Sequence, residues 1–145
     1  MIGEIRDEET ATICVRAALT GHLVISTLHA GSCKGVLERL FILCPDHSAV
    51  ASSLNLVINQ RLVRQFCAEC KGKGCTTCLQ SGYRGRVPLV EWLKIDGPLR
   101  PRLASRDFDA IQVNPTLAQR ARVLVDSGIT TNEAEINRVL GFQWQ

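Results

Sequence analysis

The clearest chemistry in the chain lies in four cysteines between residues 67 and 78. Cys67-Ala68-Glu69-Cys70 and Cys75-Thr76-Thr77-Cys78 are two C-x-x-C pairs separated by four residues. Each tight turn can direct two thiolates at one point, and four sulfurs at about 2.3 Å satisfy tetrahedral zinc without another ligand. Zinc held this way is structural, because no position remains for a water. Gly72 and Gly74 loosen the joining loop, which must double back over a short path. An iron–sulfur cluster, a redox dithiol and unligated thiols are the other uses open to the same residues. Cys14, Cys33 and Cys44 sit in apolar helical settings and read as core.

Glu4, His22 and His29 are the other candidates. On its own, Glu4 reads as a capping or surface carboxylate at a strand-to-helix junction. His22 follows Gly21 and can close the preceding helix by bonding its last carbonyls. His29 stands at the carboxyl end of an apolar run, where open α/β sheets bind ligands. His47, beside Pro45 and Asp46, reads as a surface residue at a helix start. Arg61, Arg64, Arg84 and Arg86 flank strands and read as solvated charges, or as interface or phosphate contacts.

These residues need elements to hold them. Asp7 to Thr20 predicts a helix, with Asp7 as cap and Ala11, Val15, Ala18 and Leu19 at helical spacing. Leu23–Leu28 is nearly continuous in apolar residues, as expected for a strand buried on both faces of a parallel sheet. Further helices are predicted over Ser32–Leu43 and Ser48–Asn59, and strands over Gln60–Phe66 and Val87–Leu93, with Pro88 placing the latter near an edge. The cysteine knuckle then sits between two strands. Gly97-Pro98-Leu99-Arg100-Pro101 is a break in composition. Beyond it, Leu117, Ala121, Leu124 and Val125 share one helical face, and Ile136, Val139 and Leu140 another. Thr130 or Thr131 is the expected cap of that last helix, with Glu133 or Glu135 completing the box.

Composition narrows the class. The chain has 145 residues, 46% of them apolar and 21% charged, which argues for a globular protein. No apolar run approaches the roughly 20 residues that span a bilayer, and the amino terminus lacks a basic start followed by an apolar stretch. A net charge of +3, spread along the chain, is too mild to argue for nucleic acid. Only Tyr83 is available to stack bases near Lys71, Lys73, Arg84 and Arg86, so nucleic acid is not the expected partner. Seven cysteines without an export signal point to a reducing compartment.

The order of the motifs adds a resemblance. Gly3-Glu4-Ile5-Arg6-Asp7, then Glu9-Thr10, Ala17-Ala18-Leu19-Thr20-Gly21-His22-Leu23-Val24 and Ser26-Thr27-Leu28-His29 resemble the Walker B and histidine boxes of the type II secretion and type IV pilus assembly ATPases. Gln60-Arg61-Leu62-Val63-Arg64, and Gly82-Tyr83-Arg84-Gly85-Arg86 with Glu91, resemble the same family on either side of the cysteines. The similarity covers most of residues 2 to 96 and, more loosely, the tail ending in Val139-Leu140-Gly141. The string Cys67 to Gly74 is also similar to one cysteine-rich repeat of DnaJ-type chaperones, whose zinc domain needs four.

The resemblance implies an α/β fold: a truncated RecA-like P-loop NTPase core with a four-cysteine zinc insertion and a helical carboxy-terminal region. The corresponding segments are residues 1–66, 67–96 and 97–145. It implies Glu4 as the catalytic Walker B glutamate acting at magnesium and the attacking water, His29 beside the γ-phosphate, and Arg6 and His22 near the nucleotide. It implies ATP and Mg2+ as cofactors of the complete enzyme, a hexamer, and a cytoplasmic place against inner-membrane secretion or pilus platform proteins. Two departures stand beside it. No G-x-x-x-x-G-K-[ST] occurs, so no element here can cradle the β- and γ-phosphates and this chain alone is not expected to hydrolyse ATP. The four-residue linker between the cysteine pairs is shorter than the family's. The chain also begins inside a motif, with the strand before Glu4 reduced to Met1-Ile2, so Leu23–Leu28 is expected to show an open edge, an apolar face and a tendency to self-associate. A zinc-stabilised module that binds a partner protein without catalysis is the competing expectation.

Overall fold

In the computed structural model, which describes residues 1–130 and 133–141, local signals set most helix ends. Helix α1 spans Glu8–Leu19, and the Asp7 carboxylate accepts from the Thr10 backbone N–H at 2.8 Å. Ala11, Cys14 and Val15 form its buried stripe, and Gly21, at φ +92°, takes the left-handed conformation just beyond its end. Helix α2 spans Cys33–Leu43; Ser32 caps it by accepting from the Gly35 N–H at 3.0 Å. Helix α3 spans His47–Ser53, capped by Asp46.

Several predicted elements differ. The helix expected to run to Asn59 stops at Ser53, because Leu56, Val57 and Ile58 enter strand β1, Leu56–Phe66. Its Val57, Asn59 and Val63 point inward at period two. The Leu23–Leu28 segment is not a strand buried on both faces. It is extended, with Val24, Ser26 and Leu28 half-buried, while Leu23 is 86% and Ile25 57% exposed. Its backbone lies beside the chain start, with the Ile2 N–H donating to the Ile25 carbonyl at 3.0 Å and the Ile5 N–H to Thr27 at 2.9 Å. The expected apolar face is therefore open.

Strand β2 spans Tyr83–Lys94, longer than predicted at both ends. It pairs with β1 as a two-stranded antiparallel ribbon, closed at one end by Ile95 N–H to Asn55 and at the other by Cys67 N–H to Gly82, each at 2.9 Å. Pro88 is exposed on a strand that has one ladder partner, as its missing N–H requires. The knuckle occupies the turn of this ribbon, and no parallel sheet is formed among the described residues.

The chain divides into two compact units, residues 1–59 with 92–114, and residues 60–91 with 115–145. In the first, Leu37, Phe41 and Val50 pack with Ile5, Val57, Leu93 and Ile95. Helix α4, Leu99–Ala104, belongs to this unit although its sequence reads as a break. Tertiary contacts explain it: Leu103 is fully buried, and Arg100 donates to the carbonyls of Ala51 and Ser52 at 2.7 and 2.8 Å. In the second, helices α5, Leu117–Asp126, and α6, Glu133–Leu140, pack Leu117, Ala121 and Ile136 on Val63 and Leu89. The capping box belongs to α5, between Thr116 and Gln119. The expected box at α6 is not formed by Thr130 and Glu135: the Thr130 hydroxyl donates to the Arg64 carbonyl, and Glu135 is buried in an ion pair. Thr131 lies outside the described residues.

Candidate functional site

Glu4 is brought to His29 by the pairing of the chain start with Leu23–Leu28. Ile5 is buried and anchors the segment, and the Thr27 hydroxyl donates to the Gly3 carbonyl at 2.6 Å. The Glu4 side chain, on the opposite side from Ile5, meets His29 Nε2 at 2.9 Å through Oε1 and Arg6 Nε at 2.6 Å through Oε2. The Arg6 hydrogen bond outweighs desolvation and, with the charges of Arg6, His29 and Arg39, holds the Glu4 carboxyl below the usual carboxylate range. The result is an ionised carboxylate at 19% exposure, flanked by two side chains that are 76% and 84% exposed. Such a group can orient a water or a cation, and the exposed imidazole and guanidinium can face an anionic ligand.

His22 does not bond to any of them. Its Nδ1 lies 3.2 Å from the Ala17 carbonyl and 3.2 Å from the Thr20 hydroxyl, at the carboxyl end of α1. Arg39 was not anticipated from sequence; it stands on α2, and only the fold brings its charge toward Glu4. His47 is not simply a surface residue: Nε2 lies 3.0 Å from the Phe41 carbonyl and its ring packs on Phe41 at 5.2 Å.

The second site is the knuckle. The sulfurs of Cys67, Cys70, Cys75 and Cys78 all lie within 4.8 Å of one another. Three of the separations are 3.8 Å (Cys67–Cys75), 3.7 Å (Cys70–Cys78) and 3.7 Å (Cys75–Cys78). A tetrahedron with Zn–S of about 2.3 Å has edges of about 3.8 Å, so the donor set fits zinc. Backbone N–H groups support the sulfurs: Gly74 donates to Cys70 at 3.2 Å, and Cys75 and Gly82 donate to Cys78 at 3.2 and 3.3 Å. Burial opposes ionisation of Cys78, yet those amides bring its thiol down to about 6.

The loop is tightly interlocked. Gly72, Gly74 and Gly82 all have positive φ, and a Cβ at Gly82 would meet the Gly72 carbonyl oxygen at 2.6 Å. A Cβ at Gly72 would strike the Phe66 ring at 2.6 Å. Glu69, between two of the ligands, accepts from the Thr77 hydroxyl and ties the two pairs together. Its position inside the first C-x-x-C was the available signal. Glu91 is buried at the start of α5, where it accepts from the Leu117 N–H at 3.2 Å, so it serves a helix end.

Known proteins resemble this chain over most of its length. The family described as type II/IV secretion system protein matches residues 1–139. A protein transport protein HofB homolog of Haemophilus influenzae is 42% identical over 97% of this chain, which spans 28% of that relative. The type II secretion system protein E of Pseudomonas aeruginosa is 35% identical over 96% of the chain and 34% of the relative. The type IV pilus assembly ATPase PilB of Myxococcus xanthus is 41% identical over 63% of the chain and 21% of the relative. The chain thus spans about a third or less of the length of these relatives. Among solved structures, the pilus retraction motor PilT with bound ADP aligns at TM-score 0.70 and 26% identity, covering 90% of this chain and 36% of that one. The ATPase DotB of Yersinia pseudotuberculosis aligns at TM-score 0.67 and 23% identity, covering 94% and 35%, a likeness of fold. With the family match covering all but its last six residues, the chain belongs to the type II/IV secretion system protein family.

Proposed function

We propose that this chain is the carboxy-terminal part of a hexameric motor ATPase that couples ATP hydrolysis to assembly of a type II secretion pseudopilus or a type IV pilus. The observation that carries the proposal is the Glu4 carboxylate held between Arg6 and His29. Glu4 is the group for magnesium and the attacking water, His29 and Arg6 face phosphate charge, and His22 braces the helix behind them. ATP and Mg2+ enter from the complete enzyme. The motor works in the cytoplasm against inner-membrane platform proteins, and no described helix is long and apolar enough to cross a membrane. The four cysteines hold a structural zinc, whose role is to keep the ribbon turn rigid.

In the polypeptide that also supplies the phosphate-binding loop, Glu4→Gln should lower ATP hydrolysis on the order of 100-fold or more while leaving nucleotide binding in place. Unchanged hydrolysis would remove Glu4 from the mechanism. The isolated chain should bind nucleotide weakly or undetectably, and tight ATP binding would overturn the division of labour.

A second reading rests on the complete tetracysteine set: a zinc-stabilised module that binds a partner protein without catalysis. An in-frame phosphate-binding loop in the coding DNA upstream separates the two, since its presence favours the motor.

A further inference from the structure

Arg64 and Phe66, just before the first cysteine ligand, carry a dense set of bonds to the entry and first turns of α6. The Phe66 N–H donates to the Ile129 carbonyl at 2.9 Å, and the Thr130 hydroxyl donates to the Arg64 carbonyl. The Arg64 N–H donates to Glu135 Oε1 at 3.1 Å, while its guanidinium donates twice to Oε2, at 3.1 and 2.8 Å. The same guanidinium lies 4.2 Å from the centre of the Tyr83 ring, which stacks on Phe66 at 5.5 Å. Phe66 and Tyr83 are the residues flanking Cys67 and Gly82, and Gly82 donates both to Cys78 Sγ and, through its carbonyl, accepts from the Cys67 N–H. Phe66 also fills the space that a Cβ on Gly72 would need.

From this continuity we infer that metal loading of the knuckle and docking of α6 are coupled, with Arg64 as the positioning residue that joins them. The inference rests on the reading of the four cysteines as a metal site. When metal draws Cys67 and Cys78 together, it fixes the ends of β1 and β2 and the Phe66–Tyr83 stack. That stack sets the guanidinium plane that Glu135 must meet. Without metal, the ends of the ribbon loosen, and the bidentate geometry on which the buried carboxylate depends loosens with them. Linkage makes the effect reciprocal, so disturbing Glu135 must weaken metal binding by the same factor that metal removal weakens α6.

The test uses the full 145-residue chain. Metal analysis should find one zinc per chain, and hydrogen exchange is then followed with zinc bound and after chelation. Exchange in residues 133–140 should rise about tenfold on chelation, while α1, in the other unit, stays unchanged. Competition against a chromophoric chelator should show zinc bound about tenfold more weakly by Glu135→Gln and by Arg64→Gln. Arg138→Gln, which removes a Glu135 partner without touching Phe66 or Tyr83, checks that a folded chain with a weakened α6 shows the same link. One zinc per chain with unchanged α6 exchange would overturn the coupling alone. No bound zinc would overturn both the metal reading and the coupling. A uniform rise across α1 and α6 would mean general unfolding and would also overturn it.

Discussion

Glu135, with a side chain only 1% exposed, is held by Arg64 of strand β1 at 2.8 Å and by Arg138 of its own helix at 2.9 Å. Burial opposes its charge, but the hydrogen bonds from Arg138 and Arg64 prevail and hold its carboxyl down to about 2, against an ordinary 4.5.

The pH dependence follows with a definite sign. A depressed acid stabilises the fold fully above its unfolded pKa and loses that contribution as pH falls through the folded value. Between about pH 4.5 and pH 2, the wild-type chain should therefore lose on the order of 3 kcal/mol from this group. Thermal midpoints of wild type and Glu135→Gln should differ at pH 6 and converge near pH 2. A constant gap across that range would show that the pair does not titrate as the structure requires.

Removing one knuckle ligand should release the metal. Cys75→Ser leaves three sulfurs, and metal analysis should fall from one zinc per chain to well below it at micromolar protein. A variant that keeps both metal and fold would sink the tetracysteine site.

The interlocked loop gives a second, independent test. Gly82→Ala places a Cβ 2.6 Å from the Gly72 carbonyl oxygen at a φ of +77°, so backbone must move. The expected cost is about 1–3 kcal/mol, read as a lower thermal midpoint and weaker zinc binding in chelator competition. Gly97→Ala, which meets no atom within 4 Å, is the matched control and should change little.

Self-association should follow from the open face at Leu23 and Ile25. Light scattering of the isolated chain should show species above the monomer mass, and the double substitution Leu23→Lys and Ile25→Lys should return it to monomer without lowering thermal stability. A wild type that elutes as a clean, stable monomer would contradict this.

Core packing in the first unit is tested by Leu37→Ala. Leu37 is completely buried among α1 and α3 residues, so the cavity should cost about 2–5 kcal/mol in urea unfolding.

What the amino-acid sequence determined by itself was local. Asp7 announces α1 because a capping side chain bonds an amide three residues on, and that cap forms as read, while Ser32, read as the first residue of α2, proves to be its cap. The two C-x-x-C pairs bring their sulfurs together because each pair closes within one turn. Glu4 and His29 were legible through the order of neighbouring motifs, and pairing of the chain start with Leu23–Leu28 joins them. Tertiary structure decided the rest. Leu23–Leu28 reads as doubly buried from composition, yet only Val24 and Leu28 pack on the core of the first unit while Leu23 and Ile25 stay exposed. Glu135 reads as a helix cap but serves a partner 71 residues away, and α4 forms where Arg100 and Leu103 find the ends of α3 and the core of the first unit. Capping and turn chemistry act over three or four residues, whereas burial and ion pairing are settled only when distant segments meet.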